Sequence, residues 1–333
     1  MKSRRFFVVL AAAAALVLLV PWLGGGPFCA EQKYPVKPIK LICPYGAGGA
    51  TDLAARILTS VIPEFLNQAV VVVNKPGAGG AVGFDFVRRS RPDGYTMMMT
   101  AIGANVLVPA INLKVPYKYD DLVYIARTQI NPNVLIVNAK SPWKTFQDLA
   151  QALKNNPGKY RFSTAGVGNV SHLGPIVLLK ELGLPNDAAI PVHYDSDGAA
   201  ILALIQGEAD FWQANLAPAA GNIKGGLVRA LAVTTPKRVP GFDDIPTYTE
   251  LGYPGIDIVG WRGVAGPPGL PDHIAKIWEE AVAKSCRSKS WLKLVRKLGD
   301  EPGYMDTEEF NRFVHKEFKR YRKLFTELGL LIK

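Results

Sequence analysis

The segment I-K-L-I-C-P-Y-G-A-G-G-A-T-D-L-A-A-R, residues 39–56, sets a pattern that the rest of the chain repeats. Ile39–Pro44 is apolar and predicts a β-strand, Tyr45–Gly49 is a glycine loop, and Thr51 or Asp52 can cap the helix that follows. Apolar residues recur in this helix at helical spacing, namely Leu53, Ile57, Leu58, Val61, Ile62 and Phe65. The segment therefore predicts a strand that leads through a glycine loop into an amphipathic helix packed on a sheet.

The same unit of strand, glycine loop and helix recurs along the chain. Val70–Val73 is a continuous apolar run, which is typical of a strand buried on both faces of a parallel sheet. Its loop and helix are predicted at Asn74–Gly80 and Ala81–Arg89, and a third unit extends from Tyr160 to Leu182. This alternation of strands and helices predicts an α/β architecture with right-handed crossovers.

The units fall into two sets, which predicts two α/β lobes. We assign residues 31–131 and 256–333 to lobe 1, and residues 132–255 to lobe 2. The C-terminal region from Pro271 to Leu331 is predicted to be largely helical and amphipathic, with a break at Gly299–Gly303.

The chain begins with a short basic segment, which is followed by an unbroken apolar run, Phe6–Val20. The run is shorter than the roughly 20 residues that span a bilayer. We therefore expect a cleaved signal peptide over residues 1–30 and a periplasmic protein, with a permanent membrane anchor as the alternative. The cleavage site stays open, because Gly26 and Ala30 are both candidates. Cys29 suggests lipidation, although the bulky residue before it argues against a lipoprotein.

The net charge and the cysteine spacing limit the classes of function that the sequence allows. The net charge of +11 suits nucleic acid, membranes or anionic ligands. Export disfavours nucleic acid, and no dense basic stripe with interleaved aromatic residues is present. Cys43 and Cys286 have no paired spacing, so we expect two buried free thiols, with a disulfide bridge as the alternative.

Three glycine loops each precede a helix, at Gly46–Gly49, Gly77–Gly80 and Gly166–Asn169. Helix N-termini carry free N–H groups and partial positive charge, so such loops suit a carboxylate or phosphate. The alternative is that the glycines only form tight turns. None of the loops matches the nucleotide-binding motifs, and we expect no cofactor.

Catalytic and metal-binding patterns are lacking in the sequence. There is no H-E-x-x-H and no G-x-S-x-G motif, so we predict a protein without catalytic residues or a metal site. His172 beside Ser171 suggests a base and a nucleophile, but a hydrogen-bonding or capping role fits adjacent residues better. Asp195 and Asp197 either shape a polar turn or receive hydroxyl groups of a ligand.

Several segments resemble the tripartite tricarboxylate transporter substrate-binding proteins, the Bug-type family. They are Y-P-V-K-P-I-K-L-I-C-P-Y-G-A-G-G-A-T-D-L-A-A-R (Tyr34–Arg56), V-V-V-N-K-P-G-A-G-G-A-V-G (Val71–Gly83), S-T-A-G-V-G-N-V-S-H-L (Ser163–Leu173) and L-V-R-A-L-A-V-T-T-P-K-R (Leu227–Arg238). The resemblance implies a two-lobed periplasmic binding fold, type II-like, with a ligand cleft between the lobes. It also implies a small carboxylate ligand and docking to the membrane permease subunits of such a transporter.

Ligand-binding residues follow from the resemblance by position. One lobe would contribute Tyr45, Ala47, Gly48, Gly49 and Thr51, and the other Thr164, Gly166, Gly168, Asn169, Ser171 and His172. Asp197 completes the expected set. We expect a monomeric binding protein. A sensor for a signalling receptor and, less favoured, a secreted enzyme acting on a carboxylate are the alternatives.

Overall fold

Strands and helices alternate through the described part of the chain, residues 33–332 of the computed structural model. The prediction of a signal peptide over residues 1–30 lies outside these residues. The strands are β1 (Ile39–Cys43), β2 (Val70–Asn74), β3 (Thr96–Ala101), β4 (Val123–Asn131), β5 (Asn133–Asn138), β6 (Tyr160–Thr164), β7 (Ala189–His193), β8 (Phe211–Asn215), β9 (Val228–Val233), β10 (Gly260–Gly266) and β11 (Glu301–Met305).

The helices are α1 (Ala50–Thr59), α2 (Pro63–Leu66), α3 (Ala81–Arg88), α4 (Val108–Ile111), α5 (Phe146–Asn155), α6 (Val170–Glu181), α7 (Asp197–Gln206), α8 (Leu216–Lys224), α9 (Asp272–Arg287), α10 (Lys289–Lys297) and α11 (Thr307–Glu327). A 3₁₀ turn at Ala78–Gly80 precedes α3, and a π-helical turn at Gly103–Leu107 precedes α4. None of the helices between residues 33 and 332 is long and apolar enough to cross a membrane.

Two mixed sheets organise these elements into two lobes. The sheet of lobe 1 has the order β11-β4-β10-β3-β1-β2, and that of lobe 2 the order β7-β6-β8-β5-β9. In lobe 1, β1 is parallel to β2 and β3, whereas β10 is antiparallel to β3 and β4. In lobe 2, β6 is parallel to β7 and β8, whereas β5 is antiparallel to β8 and β9. The α/β prediction is confirmed, with antiparallel strands added to each sheet.

The chain passes between the lobes at Pro132, which separates β4 from β5. The carbonyl of Pro132 accepts a hydrogen bond from Leu216 N at 2.7 Å, and Asn133 and Thr234 exchange hydrogen bonds of 3.0 and 3.1 Å. The chain returns from lobe 2 between residues 234 and 259, ahead of β10. The lobe boundaries assigned from the sequence stay a prediction.

Two expectations about the first elements are wrong. Val70–Val73 is not buried on both faces, because β2 is the edge strand of its sheet and Val71 is 52% exposed. Neither Thr51 nor Asp52 caps α1, because the helix starts at Ala50 with Gly49 at its N-cap. Asp52 instead turns back and accepts the N–H of Gly48 at 3.0 Å. This bond satisfies a free donor ahead of the helix without a capping residue.

The hydrophobic core lies between the sheets and their helices. Large side chains at its centre are almost completely buried, among them Trp212, Trp261, Trp278, Phe84 and Phe310. Burial of each such side chain stabilises the fold by about 1.5–3 kcal/mol. Cys43 and Cys286 are buried free thiols, as predicted, and burial raises the pKa of each to about 12. The C-terminal region is largely helical as predicted, and β11 begins within the expected break at Gly299–Gly303 and extends two residues beyond it.

Candidate functional site

Three helices from the two lobes begin at one small cavity. Helix α1 of lobe 1 begins at Ala50, and helices α6 and α7 of lobe 2 begin at Val170 and Asp197. All three residues line a cavity between the lobes, which we call the inner cavity. Free N–H groups and the helix dipoles make such a convergence favourable for an anion.

The inner cavity is nearly closed. Its volume is about 10 Å³, which is enough for roughly one water molecule. Its walls come from both lobes and consist mainly of small or polar residues: Tyr45, Gly49, Ala50, Thr51, Ala101, Ile102, Gly103, Ala165, Asn169, Val170, Asp197, Asn215 and Arg262. The structure therefore shows the lobes closed on each other.

Glycines make this closure possible. A Cβ atom added to Gly79 of lobe 1 would collide with the carbonyl oxygen of Val167 in lobe 2. A Cβ on Gly166 would lie 3.6 Å from the Cα of Gly79, and one on Gly103 would lie 3.7 Å from the Cα of Asn169. The second and third glycine loops thus bring backbone against backbone across the cleft, a closeness of approach that glycine permits.

An outer pocket adjoins the inner cavity and shares Tyr45 and Ala165 with it. Its volume is about 410 Å³, within the usual range for small-molecule sites. It is lined by the second glycine loop and by residues of both lobes: Gly77, Ala78, Gly79, Gly80, Val108, Ile111, Asn112, Gly166, Val167, His193, Tyr194, Asp195 and Ile332.

Asp52 and Asn74 hold the first glycine loop. Asp52 Oδ2 accepts hydrogen bonds from Gly48 N at 3.0 Å and from Arg56 Nε at 2.9 Å. Asn74 Nδ2 donates to Asp52 Oδ1 and to the carbonyl of Tyr45, both at 2.9 Å. Burial favours the protonated acid, but the hydrogen bonds from Arg56, Gly48 and Asn74 outweigh it and lower the pKa of Asp52. The loop is therefore fixed before any ligand arrives.

Tyr45 ties the first glycine loop to the second. Its side chain is 7% exposed, and its hydroxyl donates to the carbonyl of Gly79 at 3.0 Å. Burial raises the pKa of Tyr45 well above its usual range, so the hydroxyl keeps its proton and remains a donor. Tyr45 lines both the inner cavity and the outer pocket, so its side chain separates the two spaces.

Ser171 organises the third glycine loop from inside lobe 2. Its hydroxyl accepts a hydrogen bond from Ala165 N at 2.9 Å and lies 3.3 Å from Thr164 Oγ1. Asn169 caps helix α6, accepting from Ser171 N at 3.2 Å. Ser171 and Thr164 are fully buried, so their role is to shape the loop.

Two buried charges face the inner cavity from opposite lobes. Arg262 on β10 is 3% exposed and Asp197 on α7 is 6% exposed. Within the described residues, Arg262 Nε and Asp197 Oδ1 have no hydrogen-bond partner. Burial raises the pKa of Asp197 and lowers that of Arg262, while the attraction between the two opposes both shifts. Arg262 was missing from the predicted site, because it follows β3 by more than 150 residues and reaches the cleft only through sheet pairing with Ala101.

The predicted site residues divide into three groups. Tyr45, Gly49, Thr51, Asn169 and Asp197 line the inner cavity, and Gly166 lines the outer pocket. Ala47, Gly48, Gly168, Thr164 and Ser171 shape the loops around these spaces without lining them.

His172 lies apart from both spaces. Its ring packs beside Phe162 and His193, with ring centroids 6.3 and 5.7 Å away, and it lines a separate surface cavity that also contains Leu330. Burial, with a smaller effect of His193, lowers the pKa of His172 to about 4. Its helix places it on the face turned away from the cleft.

Metal coordination has no support in the described residues, where no group of three or more His, Cys, Asp or Glu side chains is placed to hold an ion. The arrangement instead offers helix N-termini, hydroxyl groups, one cation and one carboxylate. These are groups that bind a small polar molecule.

Comparisons with known proteins agree with this geometry. Among curated proteins, the chain is 32% identical to a UPF0065 protein of Bordetella pertussis, over 90% of this chain and 92% of that one. It is 30% identical to BugT of the same organism, over 91% and 93% of the two chains.

Solved structures show the same fold. The structure of the periplasmic binding protein BugD superposes with a TM-score of 0.86 at 28% identity, covering 90% of this chain and all of BugD. The R. palustris protein Rpa4515, solved with adipate, gives a TM-score of 0.85 at 26% identity, covering 89% and 99% of the two chains. These relatives confirm the prediction of a two-lobed periplasmic binding fold.

The family model of the tripartite tricarboxylate transporter family receptor matches residues 54–330. This is a family of binding proteins and not of enzymes, as the sequence led us to expect. The chain belongs to the tripartite tricarboxylate transporter receptor family, TctC.

Proposed function

We propose that this protein is a periplasmic receptor that binds a small carboxylate between its lobes and delivers it to a tripartite tricarboxylate-type permease. The observation that carries the proposal is the convergence of the N-termini of α1, α6 and α7 on the inner cavity. Oriented N–H groups receive a carboxylate without requiring a charged partner for every oxygen atom.

Binding and closure are coupled in this account. The inner cavity holds about one water molecule in the closed form, so a ligand enters when the lobes part. Closure then brings α1 of lobe 1 and α6 and α7 of lobe 2 onto the same carboxylate. The ligand stabilises the closed state because only that state offers it both sets of donors.

The outer pocket would receive the remainder of the ligand. Its walls include backbone of the second glycine loop, apolar side chains such as Val108 and Ile111, and the polar edge at His193–Asp195. The relative solved with adipate shows that a protein of this fold holds a carboxylate with an extended carbon chain. A periplasmic location and docking to permease subunits are part of the proposal, and the family to which the chain belongs supports them.

A thermal-unfolding screen tests the proposal. The protein is unfolded and refolded to release any ligand carried through purification, and is then heated with a panel of mono-, di- and tricarboxylates. A ligand at about 100 times its dissociation constant adds about 2.7 kcal/mol to the free energy of unfolding. We expect a raised melting temperature with one class of acid and no consumption of that acid. No shift with any acid contradicts the proposal, and consumption of the acid would indicate an enzyme.

A further inference from the structure

A group of exposed cations on lobe 1, which we call the basic patch, lies at the end of α9 and along α10. It consists of Arg287, Lys289, Lys293, Arg296 and Lys297. No acidic residue occurs in the sequence between Glu280 and Asp300, and Asp300 is buried. None of the five cations lines the inner cavity or the outer pocket, so the proposed function leaves them unexplained.

The packing of α10 determines which of its side chains reach solvent. Trp291 and Val295 are completely buried in lobe 1, where α10 packs on α1, α9 and β11. Lys289, Lys293 and Lys297 follow each other at intervals of four residues, which places them on one exposed face of the helix. The three lysines therefore form a stripe about 12 Å long that runs along the helix.

Helix stability does not explain this distribution of charge. Other helices pair a cation with an acid one turn away, as α1 does with Arg56 and Asp52. None of the patch cations forms an ion pair within 4.0 Å in the part of the chain that the structure describes. Like charges four residues apart destabilise a helix, and Lys289, the first residue of α10, also meets the partial positive charge of the helix N-terminus. These charges therefore serve a contact outside the chain.

The shape and chemistry of the basic patch favour an anionic lipid surface over a folded acidic protein. A stripe along one side of a helix is convex, so a flat bilayer can touch its whole length. Three of the five cations are lysines, whose ammonium groups follow lipid phosphates without a fixed geometry, whereas arginine suits bidentate pairing with a protein carboxylate. Leu294, beside Lys293, is 37% exposed and places an apolar side chain where it can enter the headgroup layer.

We propose that lobe 1 docks through the basic patch onto a membrane surface that carries anionic phospholipid, whose phosphate groups are received by Lys289, Lys293 and Lys297. Each cation held near such a surface strengthens binding by about fivefold. Salt screens exposed charges, so the attachment is reversible and weakens as the ionic strength rises. A receptor attached in this way searches for its permease in the plane of the membrane. The inference does not depend on which ligand the cleft holds.

Co-sedimentation with lipid vesicles tests the inference. Wild type and variants are purified in the same way, so that all preparations share one N-terminus. Binding is measured on vesicles of phosphatidylcholine alone and on vesicles that contain about one-third phosphatidylglycerol. The ratio of the two affinities cancels any attachment that does not depend on lipid charge. We expect the wild type to bind the anionic vesicles at least about tenfold more tightly at low salt, and this preference to disappear as salt is added.

Two triple variants separate the basic patch from the total charge of the protein. One replaces the stripe by glutamine, a good helix former, at Lys289→Gln, Lys293→Gln and Lys297→Gln. The control loses the same charge at three exposed positions of lobe 2, Lys140→Gln, Lys154→Gln and Lys237→Gln. The patch variant should prefer anionic vesicles by no more than about threefold, whereas the control should keep the preference of the wild type to within about twofold. Thermal unfolding of both variants verifies folding.

Two results would overturn the inference. A wild type that does not distinguish the two kinds of vesicle contradicts the membrane assignment, and the basic patch would then serve an acidic protein surface. Equal losses in the patch variant and the control contradict it as well, because total charge and not the basic patch would then determine binding. Both results leave the carboxylate receptor standing, since the ligand screen tests that function separately.

Discussion

Gly79 of lobe 1 and Gly166 of lobe 2 face each other across the closed cleft, where a Cβ atom added to Gly166 would lie 3.6 Å from the Cα and N of Gly79. The contact joins backbone to backbone, and it leaves no room for a side chain on the Gly79 side because Val167 O lies there. Closure of the lobes therefore depends on these glycines in addition to any role they have as anion-binding loops.

Gly79→Ala should weaken ligand binding by at least about tenfold, because the new methyl group meets Val167 O before the lobes close. Gly226→Ala is a matched control. The two glycines have φ angles of +66° and +68°, so both substitutions strain the backbone by about 1–2 kcal/mol, but Gly226 has no atom within 4 Å of the added Cβ. Calorimetric titration and thermal unfolding of both variants measure the effects. Equal affinities in the two variants would contradict a role of Gly79 in closure.

Tyr45→Phe removes the hydrogen bond from the Tyr45 hydroxyl to Gly79 O and frees the second glycine loop from the first. We expect a loss of about 1 kcal/mol in stability together with weaker ligand binding. Tyr248→Phe loses a comparable bond of 3.0 Å, to Gln213 Oε1 inside lobe 2, and should lower stability alone. Binding that is equally affected, or equally spared, in both variants would argue against Tyr45 as the link between the loops.

Asp52→Asn weakens the anchor of the first glycine loop, since Asp52 accepts from Gly48 N and pairs with Arg56. We expect lower affinity and a loss of about 1–2 kcal/mol in stability. Because the pKa of Asp52 is lowered on folding, its stabilisation is present above a pH of about 4 and disappears as the pH falls toward the folded pKa. The difference between wild type and variant in chemical denaturation should shrink accordingly.

Asp85→Asn provides the comparison for that experiment. Asp85 pairs with Arg88 and Arg89 in lobe 1. Burial favours the protonated acid, but the hydrogen bonds and charges of the two arginines together outweigh it and lower the pKa of Asp85. Its removal should affect stability without affecting ligand affinity. Loss of affinity in both variants would mean that the charge of the lobe, and not the anchored loop, matters for binding.

His172 should make the protein less stable as the solution is acidified. Burial and His193 lower its folded pKa to about 4 from an ordinary value near 6.5, so its contribution is complete above that ordinary value and is lost as the pH falls toward 4. Between pH 7 and 5 the expected loss is about 2 kcal/mol. Asp300, with its raised pKa of about 6, acts in the opposite direction over the same interval.

Comparison with His172→Gln isolates this contribution by chemical denaturation at several pH values. The variant should lose less stability than the wild type on acidification, whereas His273→Gln, at an exposed position of α9, should follow the wild type. If the free energy of unfolding changes with pH in the same way in the wild type and in His172→Gln, the imidazole is not kept neutral by burial.

The sequence identified local elements well and long-range ones poorly. The strand at Tyr160–Thr164 and the helices after the glycine loops follow from apolar spacing and glycine positions, which are properties of neighbouring residues. Strand β10, G-W-R-G-V-A-G, contains three glycines and was not predicted, because its neighbours β3 and β4 stabilise it as a strand.

The same distinction holds for the candidate site. Residues on glycine loops could be named from the sequence because the loops themselves mark helix N-termini. Arg262 and Asn215 could not, since each reaches the inner cavity from the end or middle of a strand whose position depends on the whole sheet. The sequence also did not show which face of helix α6 is turned to the cleft. His172 was therefore expected in the cleft, although it lies on another face of α6.

Small-angle X-ray scattering of the refolded protein, with and without a saturating carboxylate from the thermal screen, tests most directly whether ligand binding closes the lobes. Our account predicts an open form without ligand and, with ligand, a decrease in the radius of gyration to the value calculated from residues 33–332 of this closed structure. A carboxylate that binds at saturation while the scattering curve stays unchanged would contradict it.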